Sequence, residues 1–268
     1  MPQKGRFFDT FDRLLLRCNL NDSQAALGLT RNAKEPHMKI GIIGAGSIGG
    51  TLARRLRALG HEIFVANSRG PKTLADLAAE TGATPVTVEE AARSGDVVVV
   101  TIPERNIPAL PANLFANVPA SVVVIDTGNY YPRQRDGRIE AIEAGMLESR
   151  WVETQLHRPV IKAFNTMYAS HLMDLGKPAG SPGRIALPVA GDDAAAKAIV
   201  MQLVDELGFD SVDAGGLDDS WRQQPGTPVY TKDLDANGIR VALAQAGKDR
   251  VPFWSGTAKS PGTFENPA

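Results

Sequence analysis

Cysteine is almost missing from this chain. Its 268 residues contain one, Cys18, so no disulfide can close within the chain, and the expected setting is a reducing cytoplasm. Histidine is nearly as scarce: four residues, scattered, do not supply the clustered ligands that a metal site needs. An excess of charge of either sign is also missing. Lys and Arg number 29 against 30 Asp and Glu, a net charge of −1, which points away from nucleic-acid and membrane-surface partners. No apolar run approaches the length of a membrane span. Near the start, Phe7-Phe8 and Leu14-Leu15-Leu16 are short and interrupted by Asp9, Asp12 and Arg13, which does not suit a signal-peptide core. Residues 1–37 read as an extension of doubtful role, with one amphipathic helix near 8–17 or a poorly ordered arm as alternatives.

What is present is an ordinary apolar content of 43%, enough for a globular core. The informative stretch begins at Met38. Lys39-Ile40-Gly41-Ile42-Ile43 reads as a buried strand, and it runs directly into Gly44-Ala45-Gly46-Ser47-Ile48-Gly49 and a helical pattern from Thr51 to Leu59. Strand, Gly-x-Gly-x-x-Gly and helix in this order are the dinucleotide-binding fingerprint. Gly44 allows the turn, Gly46 admits a pyrophosphate close to the backbone, and Gly49 lets the helix pack on the strand. The helix N-terminus offers free N–H groups and a positive dipole end to phosphate.

The second strand, Glu62–Ala66, is expected to end beside the adenosine ribose. An NAD site places Asp or Glu there. This chain places Asn67-Ser68-Arg69, with Lys72 shortly after as a second candidate cation. A carboxylate repels a 2′-phosphate, whereas a guanidinium and a hydroxyl bind it, so the sequence predicts NADP(H) rather than NAD.

Strands are expected at Thr84–Thr87, Asp96–Val100, Ser121–Ile125, Pro159–Phe164, Ile185–Ala190 and Phe209–Asp213. Helices are expected at Thr73–Thr81, Val88–Ser94, Ile107–Leu114, Ile139–Met146, Asn165–Met173, Asp192–Leu207 and Ala236–Ala246. This alternation predicts an α/β fold, a Rossmann-type doubly wound and mostly parallel sheet over residues 38–215. Residues 216–268, with Trp221 and Trp254, are expected to form a small C-terminal cap or arm.

Ligands bind such sheets at the carboxyl ends of the strands. Three exit loops are therefore candidates for the nicotinamide half. Thr101-Ile102-Pro103 follows the fourth strand and can press on the ribose and ring. Asp126–Tyr131 carries Tyr130 and Tyr131, which either stack on a planar acceptor or pack in the interior. Ala163-Phe164-Asn165-Thr166 supplies Ala163 and Asn165, the latter a helix cap or a ligand of the carboxamide. His157, His171 and Lys162 are the available proton shuttles, with local hydrogen bonding as the competing role of each histidine.

Gly44–Gly49, Asn67-Ser68-Arg69, Thr101-Ile102-Pro103, Lys162–Thr166 and Val189-Ala190-Gly191-Asp192-Asp193 together resemble the NADPH-dependent coenzyme F420 oxidoreductase family. They are also similar to the reductase domain of the STEAP-type metalloreductases. The resemblance covers about residues 38–215 and implies a Rossmann domain, NADP(H), hydride transfer to a deazaflavin (coenzyme F420) or a flavin, and a homodimer. Hydride then passes directly between stacked rings, so no general acid or base is named. Asp126–Tyr131 and the tail after Gly215 depart from the smaller archaeal members, which leaves the small-molecule acceptor open. Two other readings remain. One is a non-catalytic NADP(H)-binding regulator. The other is a carbonyl or imine reductase of the β-hydroxyacid dehydrogenase type, whose glycine-containing helix motif with a catalytic lysine is not found here.

Overall fold

The computed structural model describes residues 37–247 and 262–267; the expectations for residues 1–36, Cys18 and Trp254 lie outside them. Among the described residues six parallel strands form one sheet in the order β3-β2-β1-β4-β5-β6. They are β1 (Lys39–Ile43), β2 (Glu62–Ala66), β3 (Thr84–Pro85), β4 (Val97–Val100), β5 (Val123–Asp126) and β6 (Ile161–Lys162). This is the Rossmann strand order, with its switch point between β1 and β4. A parallel pair, β7 (Ala186–Val189) and β8 (Asp210–Asp213), continues past β6 through one antiparallel bridge between Lys162 and Ala190.

Apolar alternation explains why both faces are covered. Ile40, Ile42, Val97, Val99, Val123 and Ile125 point to one side. There they meet Leu52, Ala53 and Leu56 of α1 (Ser47–Ala58) and Val200, Leu203 and Val204 of α7 (Ala194–Glu206). Ile43, Val98, Val100 and Val124 point to the other. They meet Ala91 and Ala92 of α3 (Val88–Ser94) and Trp151 and Val152 of α5 (Glu148–Leu156). A strand buried on both faces has no polar side, which is why β4 is four valines in a row. A third cluster joins Ala186, Ala190 and Val212 to Ile239, Ala242 and Leu243 of α8 (Ala236–Ala244), so the described C-terminal residues cover the β7–β8 pair.

Side-chain caps close the N-termini of α3 and α7. Thr87 and Glu90 form a reciprocal capping box on α3. Asp193 accepts from the N–H groups of Ala195 and Ala196 at the head of α7. Several expected elements differ. The helix expected at 73–81 is a 3-10 turn over 71–74 followed by α2 (Ala75–Thr81). The helix expected at 107–114 is a short 3-10 segment, 104–109, because Pro108 and Pro111 lack the N–H groups a longer helix needs. The strand expected over 159–164 contracts to Ile161–Lys162, since Phe164 takes a left-handed φ of 62°. Helix α6 (Ala169–Asp174) starts four residues after Asn165, so Asn165 is not its cap. The helix expected at 139–146 is only the single turn α4 (Glu140–Glu143), and α5 has no counterpart among the expected elements.

Candidate active site

Along the carboxyl edge of β1, β2 and β4 runs a cleft of about 700 Å³. The structure brings Gly44, Ala45, Gly46, Asn67, Ser68, Arg69, Thr101, Ile102 and Pro103 together in its wall. The opening turn is built for a close approach. Gly44 holds a φ of 115°, and a Cβ on Gly49 would lie 1.9 Å from the Gly44 carbonyl oxygen. A Cβ on Gly46 would meet nothing within 4 Å, so the space above it is free for a ligand. Gly46 is also the N-cap of α1, which has no side-chain cap and no acidic residue in its first turn. Its leading N–H groups suit a pyrophosphate. Ser47, Ile48 and Gly49 form the first turn of α1 behind this wall.

At the end of β2, Asn67 works as a scaffold. Its side-chain oxygen accepts from the Arg69 N–H at 2.9 Å, and its side-chain nitrogen donates to Thr73 Oγ1 at 2.9 Å. This small turn leaves Ser68 and Arg69 exposed at the cleft. Lys72 is exposed in the following turn but does not line the cleft. Residues that the sequence reading missed complete the wall: Thr87, Val88 and Glu89 at the head of α3, and Asn106, Ala109, Leu110 and Pro111 after β4. Only the sheet order makes these two segments neighbours of β1.

On the β5–β6 side three expectations are corrected. Tyr130 is fully buried; its hydroxyl donates to the Gly137 carbonyl at 3.0 Å and accepts from the Ile139 N–H at 2.9 Å. It packs with the core that holds Trp151, so it presents no ring to an acceptor. Ala163 is fully buried in the opposite core and does not line the cleft. Asn165 is buried, and its amide is consumed internally. Its nitrogen donates to Asn129 Oδ1 and the Gln223 carbonyl, and its oxygen accepts from Gln223 Nε2. It braces the loop rather than binding a carboxamide.

Tyr131 has a different environment. Its ring lies half-buried beneath the Arg135 guanidinium, 5.0 Å from the ring centre, and its hydroxyl pairs with that of Tyr230. Burial first, then the facing Tyr230 hydroxyl, push the Tyr131 phenol upward, so it stays neutral. Tyr168 is 54% exposed and contacts His171 edge-on, while His171 Nδ1 sits 2.8 Å from the Asp233 carboxylate. The Thr231 N–H donates to the Thr166 carbonyl at 2.8 Å, which ties the Tyr230 segment to the β6 exit.

Below this edge lies a group of buried ions. Lys162 Nζ donates to Asp126 Oδ2 at 2.9 Å and to the Gly128 carbonyl at 2.6 Å. Burial works against the ammonium, but Asp126 and the neighbouring acids outweigh it and raise its pKa. Glu104 follows Pro103 directly and is fully buried. Burial, with Glu148 close by, drives its pKa well above the usual carboxylate range despite the opposing pull of Lys162. The unfolded chain ionises Glu104 at a lower pH than the folded protein does. Its stability contribution is therefore complete in acid and is lost as pH rises from the ordinary carboxylate range toward the folded value. Glu104→Gln is expected to flatten that loss in denaturation midpoints measured across pH; an unchanged slope would contradict the assignment.

These features define a dinucleotide-binding protein of the Rossmann class. A family model, NADP oxidoreductase coenzyme F420-dependent, matches residues 39–130. The Sinorhizobium meliloti protein SMa0349 is 30% identical with a TM-score of 0.62, over 75% of this chain and 97% of its own. An Arthrobacter sp. FB24 protein, named for F420-dependent NADP reduction, is 27% identical with a TM-score of 0.54, over 68% of this chain and 87% of its own. The Escherichia coli K12 protein YjhV is 41% identical over 101 residues, and the match spans 37% of this chain and 66% of that protein. The chain belongs to the family of coenzyme F420-dependent NADP oxidoreductases. Its nucleotide is accordingly NADP(H), and its class is NADP-dependent oxidoreductase. No described helix is long and apolar enough to cross a membrane.

Proposed function

We propose that the protein exchanges a hydride between NADPH and a planar acceptor ring, coenzyme F420 or a flavin, held beyond the cleft wall by the exit loops of β5 and β6. The observation that carries this reading is the cleft wall itself: a glycine cradle at one end and Asn67-Ser68-Arg69 without an acid at the other. NADPH supplies the hydride. The backbone N–H groups at the head of α1 hold the pyrophosphate, Ser68 and Arg69 hold the 2′-phosphate, and Ile102 and Pro103 press the nicotinamide half into place. Tyr131, steadied by Tyr230 and Arg135, takes the acceptor ring, with Tyr168 at its outer edge. Hydride transfer needs the reacting carbons about 3–3.5 Å apart, so positioning and exclusion of water are the protein's main contribution.

Arg69→Ala is expected to weaken NADPH about ten- to a hundredfold, the equivalent of a charge-assisted contact of about 1.5–3 kcal/mol, and to leave NADH binding unchanged. Titrating both nucleotides checks this; equal losses would contradict the 2′-phosphate role. The acceptor is tested with deuterated NADPH and a panel of deazaflavin, flavins, quinones and ferric chelates. Deuterium should move to the deazaflavin or flavin, and Tyr131→Ala should weaken acceptor use several-fold while sparing NADPH, as expected from a stacking contact of about 0.5–1.5 kcal/mol. Tight NADPH binding without turnover on any acceptor would favour a regulator. Reduction of a small ketone or imine that depends on His171 or Lys162 would favour a proton-shuttling dehydrogenase.

A further inference from the structure

The hydride transfer proposed above uses none of the buried ions under the β4–β6 edge. Asp126 ends β5, Lys162 ends β6, and Glu104 leaves β4 one residue beyond the cleft wall. All three converge on Gly128. Its carbonyl accepts from Lys162, and a Cβ placed on it would lie 2.9 Å from Asp126 Oδ1 and 3.2 Å from Glu104 Oε1. Around this point the polar groups are matched in pairs. Asp126 takes Lys162, Ser149 Oγ and the Gly128 N–H. Asp136 takes the Arg135 guanidinium and the Tyr131 N–H. Glu148, from α5, takes the Tyr130 N–H. Glu104 is the exception: it is 0% exposed, and neither of its oxygens has a hydrogen-bond partner among the described residues.

The groups bearing on Glu104 are Glu148 from α5, Asp126 from β5, Asp136 from the loop after Tyr131, and Lys162 from β6. Three are acids and one is a cation, and the cation is already bonded to Asp126. A buried carboxylate in such a place costs far more than a neutral acid. A positive charge created close to it would reverse that balance. In a Rossmann site the nicotinamide half lies at the carboxyl ends of the strands on the β4 side of the switch point. Loss of hydride from the ring creates that positive charge there.

We propose that Glu104 is a redox-linked proton store: it keeps its proton beside NADPH and releases it beside NADP+. The reading rests on the cleft being the NADP(H) site. The step balances. NADPH loses one hydride, carrying two electrons, to the acceptor, which is reduced, and the ring gains one positive charge. The Glu104 O–H bond breaks, its electron pair stays on the carboxylate, and its proton passes to water. Reverse transfer takes a proton back. The net charge of ring plus carboxyl therefore stays constant through the reaction.

The test is proton release on nucleotide binding, read with a pH indicator in weakly buffered solution near neutrality, for the full-length protein. NADP+ and NADPH share the same 2′-phosphate, so its protons cancel between the two titrations. The wild type should release up to about one proton more with NADP+ than with NADPH. Glu104→Gln should bind both nucleotides and lose the difference. Equal release by the wild type, or an unchanged difference in Glu104→Gln, would overturn the proposal. A measurement on the wild type alone covers the case of a poorly folded variant. The infrared carbonyl stretch of a protonated carboxylic acid, shifted in D2O, should be present with NADPH and absent with NADP+; its persistence with NADP+ would also overturn the proposal. Failure of both nucleotides to bind would instead overturn the cofactor reading, and this inference with it.

Discussion

Lys162→Met is expected to destabilise the protein by about 3–5 kcal/mol, the usual result of removing one partner of a buried ion pair. The ammonium is completely buried and is bonded to Asp126 Oδ2 and the Gly128 carbonyl. Its loss leaves the Asp126 carboxylate without its cation in a region where Glu104, Glu148 and Asp136 are also acids. A second change, Asp126→Asn, removes the uncompensated charge and should recover part of the loss. Denaturant unfolding of the single and double variants measures both effects. A loss below about 1 kcal/mol for Lys162→Met would mean that the pair is screened by water, as a surface pair is. The same loss in both variants would mean that packing, not charge, dominates at this point.

Gly49→Ala is expected to cost about 3 kcal/mol or more in NADPH affinity, with a further loss of stability of about 1–3 kcal/mol from overpacking. The added methyl would lie 1.9 Å from the Gly44 carbonyl oxygen and 2.7 Å from Thr101 Cγ2. One of these contacts is backbone and cannot rotate away. Helix α1 must lift from the β1 turn, and the N–H groups proposed to hold the pyrophosphate lift with it. Gly46→Ala is the informative contrast. A Cβ there meets no protein atom, so the apoprotein should keep its stability while nucleotide binding falls. Thermal melting with and without NADPH separates the two. If Gly49→Ala binds NADPH normally, α1 does not seat the nucleotide.

The sequence was legible wherever the signal was local. Lys39–Gly49 announced strand, turn and helix because the spacing of the glycines and the helix start lie within one short segment. Asn67-Ser68-Arg69 was legible for the same reason: the end of β2 is a short distance from the glycines, and the absence of an acid there can be read directly. The sheet's alternation was legible in β4 and β5 through their valine runs. The β5–β6 edge was not. Tyr130 and Tyr131 are adjacent and look equivalent, yet one is sealed in the core and the other faces Tyr230, 99 residues away. Ala163 and Asn165 flank a left-handed Phe164, a backbone turn that no apolar pattern announces.

By itself, then, the sequence determined the parallel α/β architecture and the NADP(H) class of its nucleotide. Each of these depends on contacts within a strand–turn–helix unit, where spacing along the chain is spacing in space. Only the tertiary structure decided what lies at the far end of the edge. Lys162 meets Asp126 across 36 residues because β5 and β6 are neighbours in register. Glu104 meets Glu148 because α5 packs against the segment after β4. A strand buried on both faces gives no sign of which residue at its end will turn inward. The register of neighbouring strands makes that choice, and with it the charge that each buried group can hold.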